Sequence, residues 1–306
     1  MNKKPIIAGA GLACMDYFVV GPQPEWGDLS FCTDNYQQGG GPVATAMVAA
    51  SRLGGEVTIY SFAGDDATGN EIVKELKEEN INTQIPVIEK ANSSFSYIHI
   101  NPENGDRTIF HRPASDIYNM TLPENLFDFS DISKADALLI DDFYLHLPEL
   151  AIKAAQKAGV TVIADLKPNE KNMHLVENTD ILIAPSYYPS ELGCADEPEK
   201  ALEVMHGMGI KIAVVTLGSK GWIYSDGKEI KRGNAFKVKA VDTNGAGDTF
   251  HGAFTFAYAS GYSLERCCDF ASAVAGLKCT KSGGRSGIPD FEATVKFLKD
   301  NSSLEW

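Results

Sequence analysis

Short, continuous apolar runs alternate along the chain with longer stretches in which apolar positions recur every three or four residues. The runs fall at 5–11, 57–64, 135–141, 161–165, 179–185 and 210–218, each of strand length. Between them, 41–55, 67–80, 147–160 and 198–209 carry helical spacing, and 246–260, 263–281 and 291–300 follow in the same manner. Strands that are apolar throughout are buried on both faces. In a βα rhythm this means a mainly parallel sheet covered by helices, an α/β fold. Gly54 and Gly55 close the first helix, as glycine does after a last turn. "GWIYSD" and "KEIKRG" are short β-prone pieces around a turn and predict a hairpin.

Two stretches break the rhythm. Residues 12–36 and 85–112 hold short, alternating pieces such as "DYFVV", "SFSYIHI" and "RTIFHR". They predict a small second sheet. Such a sheet beside an α/β core acts as a lid that excludes water from a transfer reaction. No repeat, low-complexity tract or long linker interrupts the chain, so 1–306 reads as one domain with a lid formed by about 12–36 and 85–112.

Composition narrows the classes. The net charge of −14 argues against a nucleic-acid partner, because phosphate binding needs a basic face. No apolar run approaches the ~18 residues of a membrane span. The opening "MNKKPIIAGAGLACMDYF" reads as a first strand and not as a signal peptide, so a cytoplasmic protein is expected. The six cysteines, at 14, 32, 194, 267, 268 and 279, show neither CxxC nor a Cys/His ligand spacing, which fits free thiols.

Of the glycine-rich stretches, "GAGLAC" (9–14) has Cys14 where a dinucleotide fingerprint needs its third glycine, and a β-prone segment follows where that fingerprint needs a helix. No phosphate loop of the form GxxxxGK[ST] is present. "VDTNGAGDTFHGAF" (241–254) is different: Gly245-Ala246-Gly247 stands at the mouth of a helix. A helix start offers unpaired N–H groups and a partial positive charge, and glycines let an anion approach them. Asp248 then lies in the first turn. By itself this leaves two roles for Asp248: complementing the helix dipole, or taking a proton from a hydroxyl that attacks a bound phosphoryl group.

The stretch "DTNGAGDTFHGAF" closely resembles the C-terminal signature of the PfkB, or ribokinase-like, carbohydrate kinases. "GGGPVATAMVAASRLGGEVTIYSFAGDDATGN" (39–70) resembles their N-terminal signature, and "VVTLGSKG" (214–221) their nucleotide-contacting strand and turn. The resemblance spans essentially the whole chain. "GGGPVATA" and "LKCTKSGGRSGIPD" (277–290) look most like the branch containing sulfofructose kinase. It implies a ribokinase-like α/β fold with ATP and Mg²⁺ as co-substrates. Gly245, Ala246 and Gly247 would form the anion hole and Asp248 the general base. Asp16, Gly40 and Gly41 match sugar-contacting positions, and Thr216, Gly218 and Gly221 the nucleotide turn. Asp242, Asn244, Gly284 and Ser286 fall where many members bind a monovalent cation, so K⁺ dependence is expected. A homodimer through the lid is expected as well.

Two departures accompany the resemblance. Many members carry Asn-x-x-Glu after the strand matching "DILIAPSYYPSEL", but here Ser186 and Pro189 stand in those places, with Glu191 out of register. A sulfosugar kinase should carry an arginine near "LLIDDFYLHLPEL", where Phe143 stands instead. Arg107 and His111, which strict alternation puts on one face of a lid strand, are the alternative substrate contacts, with Arg112 on the other face. His251, one turn after Asp248, is expected to pack and hydrogen-bond. The resemblance admits two further readings. One is a nucleoside kinase, whose base would stack on Tyr17, Phe18 and Tyr97. The other is a non-catalytic sugar-binding regulator, against which the intact Gly-Ala-Gly-Asp argues.

Overall fold

The computed structural model describes residues 4–103, 106–114, 123, 125–194 and 197–306. The strands in chain order are β1 (Ile6–Ala10), β2 (Cys14–Val20), β3 (Asp34–Gly40), β4 (Glu56–Tyr60), β5 (Ala63–Gly64), β6 (Asn82–Gln84), β7 (Val87–Ile88), β8 (Phe95–Ile100) and β9 (Arg107–Arg112). They continue with β10 (Ala137–Asp141), β11 (Thr161–Asp165), β12 (Ile181–Ala184), β13 (Ile212–Thr216), β14 (Trp222–Ser225) and β15 (Ile230–Gly233). The longer helices are α1 (Pro42–Arg52), α2 (Ala67–Glu78), α3 (His146–Ala158), α4 (Pro198–Gly207), α5 (Ala246–Ala259), α6 (Leu264–Lys278) and α7 (Phe291–Asn301).

The main sheet runs in the order β15-β14-β13-β12-β11-β10-β1-β4-β6. It is parallel from β6 to β13 and ends in the antiparallel hairpin β14–β15. Alternation along each strand divides the core in two. Ile7, Leu139, Ile163 and Ile183 pack under α1, α5 and α6, whereas Ala8, Leu138, Val162 and Leu182 pack under α3 and α4. The strand order reverses between β1 and β10, and ligands of such sheets bind beyond the carboxyl ends of the strands at that point. Asp141, at the end of β10, pins the place. Its carboxylate accepts N–H groups from Leu12 at 2.9 Å, Phe143 at 3.1 Å and Val43 at 3.3 Å.

A four-stranded sheet in the order β3-β2-β8-β9 stands beside this point. Its limits differ from the expected ones. β3 continues to Gly40, because its antiparallel pairing with β2 extends to Cys14↔Gly40. It therefore delivers Gly40 and Gly41 directly into α1. The segment 82–88 belongs elsewhere: β6 extends the main sheet beside β4, and β7 pairs with β5. Among the described residues no helix is long and apolar enough to cross a membrane. All six cysteines are free.

Candidate active site

The chain from Val241 to Gly245 forms a strap over the end of α6. The N–H groups of Val241 and Asp242 donate to the carbonyl of Cys279, at 2.7 and 3.2 Å. The Asp242 carboxylate accepts the N–H of Asn244 through one oxygen and that of Gly283 through the other, both at 2.8 Å. Gly245 caps α5 at φ +71°, and a Cβ there would lie 2.7 Å from the carbonyl oxygen of Gly284. Only glycine meets both conditions. Ala246 turns its N–H back to the carbonyl of Thr243, at 3.2 Å. Of the three expected anion-hole residues, Gly247 therefore opens most fully: it is exposed, with nothing within 4 Å of where a Cβ would sit.

Asp248 lies in the first turn of α5. Burial pushes its carboxyl above the usual range, and the positive groups of His251, Arg285 and Lys278 pull it back. His251 is buried behind it. Its Nδ1 lies 2.7 Å from the carbonyl of Gly247, and its Nε2 lies 3.1 Å from the carbonyl of Ile183 and 3.3 Å from the Asp165 carboxylate. It is the hydrogen-bonding residue that its position suggested.

Asp16 projects from β2 into the same region. The Cys14 thiol lies 3.5 Å from its carboxylate. Burial raises the Asp16 carboxyl, with a smaller contribution from the negative charge of Asp248, so the two acids face one electrostatic environment. A Cβ on Gly40 would run into the Asp16 carboxylate. One on Gly41, at φ +94°, would run into the carbonyl of Leu12. Both glycines thus make room for the Asp16 carboxylate and for the entry of α1.

Arg285 belongs to this site and was not expected. It is buried, and its guanidinium donates to the Gly40 carbonyl at 2.9 Å and to the Thr45 hydroxyl at 3.2 Å, with Glu75 at 3.8 Å. It anchors the turn beneath Asp16 and lowers the carboxyls of both Asp16 and Asp248. The available signal was an arginine directly after Gly283-Gly284, in a segment already noted for its resemblance.

A cavity of about 410 Å³ opens between the small sheet and the end of β10, lined in part by Ser94, His111, Asp142, Phe143, Asn169 and Lys171. His111 Nδ1 is 3.3 Å from the Ser96 hydroxyl, and its ring meets Phe143 edge-on at 5.7 Å. Burial lowers the His111 pKa, which favours the neutral imidazole. Arg107 is placed differently from expectation. Its guanidinium reaches the Thr243 hydroxyl at 3.2 Å, on the strap, and does not line this cavity. Arg112 turns to the Ser93 carbonyl and the Phe95 ring. Tyr17 and Tyr97 pair with each other on the face opposite Asp16, where Tyr97 is half exposed, and Phe18 is buried against Tyr36. These rings do not make a stacking pocket in the cavity.

On the nucleotide side, Thr216 ends β13 and Gly218 follows at φ +57° with open space around its Cα. Gly221 also has a packing role. At φ +98°, a Cβ there would run into the carbonyl of Gly233, so this glycine serves the packing of the β14–β15 hairpin. Glu191 is paired with Lys167 at 2.9 Å. Among the described residues no group of three His, Cys, Asp or Glu is placed to hold a metal ion. The expected K⁺ set does not fit an ion either. The carbonyls of Asp242 and Asn244 already receive the ammonium of Lys278, the Ser286 hydroxyl is 3.1 Å from the Gln38 amide nitrogen, and Gly284 is packed against Gly245.

The chain matches the model of the pfkB family of carbohydrate kinases over residues 11–290. It is 32% identical to a ribokinase of Haemophilus influenzae over 277 residues, covering 87% of this chain and 89% of that protein. A ribokinase from Thermotoga maritima superposes with a TM-score of 0.83 at 26% identity, covering 96% of this chain and 99% of the other. The fold is shared also with an Arabidopsis thaliana ribokinase solved with ribose and ATP, at a TM-score of 0.85 and 24% identity over 97% of this chain and 99% of that one. A helix mouth open at Gly247 with an acid in its first turn, and a match across nearly the whole length, lead to one assignment: the chain belongs to the pfkB family of carbohydrate kinases.

Proposed function

We propose that the protein transfers the γ-phosphoryl group of ATP to a hydroxyl of a sugar, with Asp248 as the general base. The observation that carries this is the placement of Asp248 in the first turn of a helix whose mouth is open at Gly247. The phosphates lie against that mouth, where N–H groups and the helix dipole favour negative charge. Magnesium would arrive with the nucleotide as a co-substrate and would supply positive charge at its phosphates. Asp16 accepts hydrogen bonds from sugar hydroxyls and orients them. Asp248 takes the proton of the attacking hydroxyl, and the helix mouth stabilises the charge that develops on the phosphoryl group. The small sheet is the lid that keeps water from competing for the phosphoryl group.

The cavity beside this site offers a sugar mixed walls: the ring of Phe143, the imidazole of His111, which burial keeps toward its neutral form, the Asp142 carboxylate and the Lys171 side chain. The outer face of the lid carries exposed Val19, Tyr97 and Phe110, with Trp26, Leu29 and Phe31 on the adjoining segment. A second copy of the chain covers this face in the proposed homodimer. Such an enzyme works where ATP is supplied, in the cytoplasm. The test is ADP release from ATP and Mg²⁺ across a sugar panel. Asp248→Asn is expected to keep nucleotide binding and to lose about 10²–10⁴-fold in turnover. No ADP with any sugar, or wild-type turnover in the Asn variant, refutes the reading.

A further inference from the structure

Lys278 is the last residue of α6 and is completely buried. Lysine is almost never fully buried without partners, so its contacts carry information. Its Nζ donates to the carbonyl of Asp242 at 3.1 Å and to the carbonyl of Asn244. Both carbonyls belong to the strap that leads into Gly245. The carboxylate of Asp242 is engaged on the other side by Asn244 and Gly283. Burial lowers the Lys278 pKa, the negative charges of Asp242 and Asp248 oppose that fall, and the ammonium in turn lowers the Asp248 carboxyl.

A monovalent cation among these carbonyls would hold the strap, and with it the anion hole. An alkylammonium has the same single charge and directs its protons to the same kind of oxygen. Being covalently tethered, it is in place before any ligand arrives, with no ion to recruit. The lysine is enclosed by protein, and its head occupies the position an ion would take between the two carbonyls.

We propose that Lys278 is the built-in monovalent cation of this enzyme: its ammonium, bridging the carbonyls of Asp242 and Asn244, fixes the strap that leads to the phosphate-binding turn and makes turnover independent of K⁺. Lys278 touches no substrate and is a positioning residue. The proposal rests on the reading of that turn as the phosphate site.

The test compares K⁺ with tetramethylammonium at equal ionic strength, measuring ADP release and thermal melting. For the wild type, both rate and melting temperature are the same in the two buffers. Lys278→Ala opens space beside the two carbonyls. In tetramethylammonium its turnover falls roughly ten- to a hundredfold, as expected for a displaced catalytic turn. K⁺ restores part of that loss and raises the melting temperature of this variant, because the ion binds only the folded state. Lys278→Met fills the same space with an apolar chain, loses turnover and is not rescued. A wild-type rate or melting temperature that rises with K⁺ overturns the proposal. So does a Lys278→Ala variant that is fully active without K⁺, or one that folds yet gains nothing from it. Should Lys278→Ala fail to fold in either buffer, the wild-type comparison and Lys278→Met decide. Failure of the kinase reading shows separately, as wild-type protein that releases no ADP in any cation. The wild-type and Lys278→Ala melting curves then still decide whether the lysine replaces an ion.

Discussion

His251 links Asp165 to the mouth of α5: its imidazole lies 3.3 Å from the Asp165 carboxylate on one side and 2.7 Å from the Gly247 carbonyl on the other. Burial pushes the Asp165 carboxyl up to about 6, and His251 opposes that rise. The imidazole thus stands directly behind the proposed base, where its positive charge lowers the Asp248 carboxyl. His251→Gln should remove that charge. The acid limb of the kcat/KM profile should move to higher pH, and stability should fall by about 3 kcal/mol because a buried carboxyl loses its partner. Denaturant melts and a pH–rate profile check both. An unmoved acid limb in a folded variant would make His251 a packing residue only.

Two glycines of the turn should respond in opposite ways. Gly245 is at positive φ and close to Gly284, so Gly245→Ala should destabilise the protein by about 1–2 kcal/mol and slow turnover through a displaced strap. Gly247 has open space where a methyl would go. Gly247→Ala should melt like the wild type while its methyl obstructs the phosphates and lowers kcat/KM for ATP. Melting curves and ATP titrations of the two variants separate conformational need from ligand space. Equal kinetics for Gly247→Ala and wild type would show that phosphate does not approach this turn.

The main sheet was legible because strands such as Leu138–Ile140 and Ile181–Ala184 are buried on both faces, and continuous apolar runs have few other uses. The turn around Gly245 was legible because positive φ at a helix mouth restricts the residue type to glycine. Lys278 and Arg285 were not. Each is a charged residue in a segment of ordinary composition, and only the packing of α6 and the 281–287 loop against the strap buries them. Arg107 was placed on the correct strand face, yet alternation says which way a side chain points and not what it reaches. The hydroxyl of Thr243 lies 136 positions away in sequence, a distance that local pattern does not span. Gly221 shows a related point about glycines. Its positive φ has a reason that local pattern does not show, the close backbone of Gly233.

The raised carboxyl of Asp248 fixes the direction of a pH effect. The proposed base must be ionised to accept a proton, and burial moves its pKa above the ordinary 3.8. Activity should therefore be full at higher pH and be lost on acidification earlier than an exposed carboxylate would allow. Asp16 is raised as well and loses acceptor capacity when protonated, so the acid limb should be steeper than a single proton gives. A kcat/KM profile from pH 4 to 8, with melting curves to exclude unfolding, is the measurement. An acid limb centred at or below the ordinary carboxylate range would show that neither buried acid governs the step.

Arg107 and His111 leave the same strand for different parts of the site, and their substitutions should separate kinetically. Arg107 meets Thr243 on the strap, whereas His111 faces Phe143 in the cavity. Arg107→Ala removes a contact between an exposed side chain and a hydroxyl, so stability should change little. It should raise KM for ATP or lower kcat, because the lid no longer braces the turn, and should leave KM for sugar close to wild type. His111→Ala should do the reverse. It opens the cavity and removes a polar wall, and the loss of one hydrogen bond to substrate, about 0.5–1.5 kcal/mol, corresponds to roughly two- to tenfold in sugar KM. Steady-state titration of each substrate with the other saturating distinguishes the two patterns. A rise in sugar KM for Arg107→Ala with unchanged ATP kinetics would return Arg107 to the sugar site and place the Thr243 contact outside the catalytic cycle.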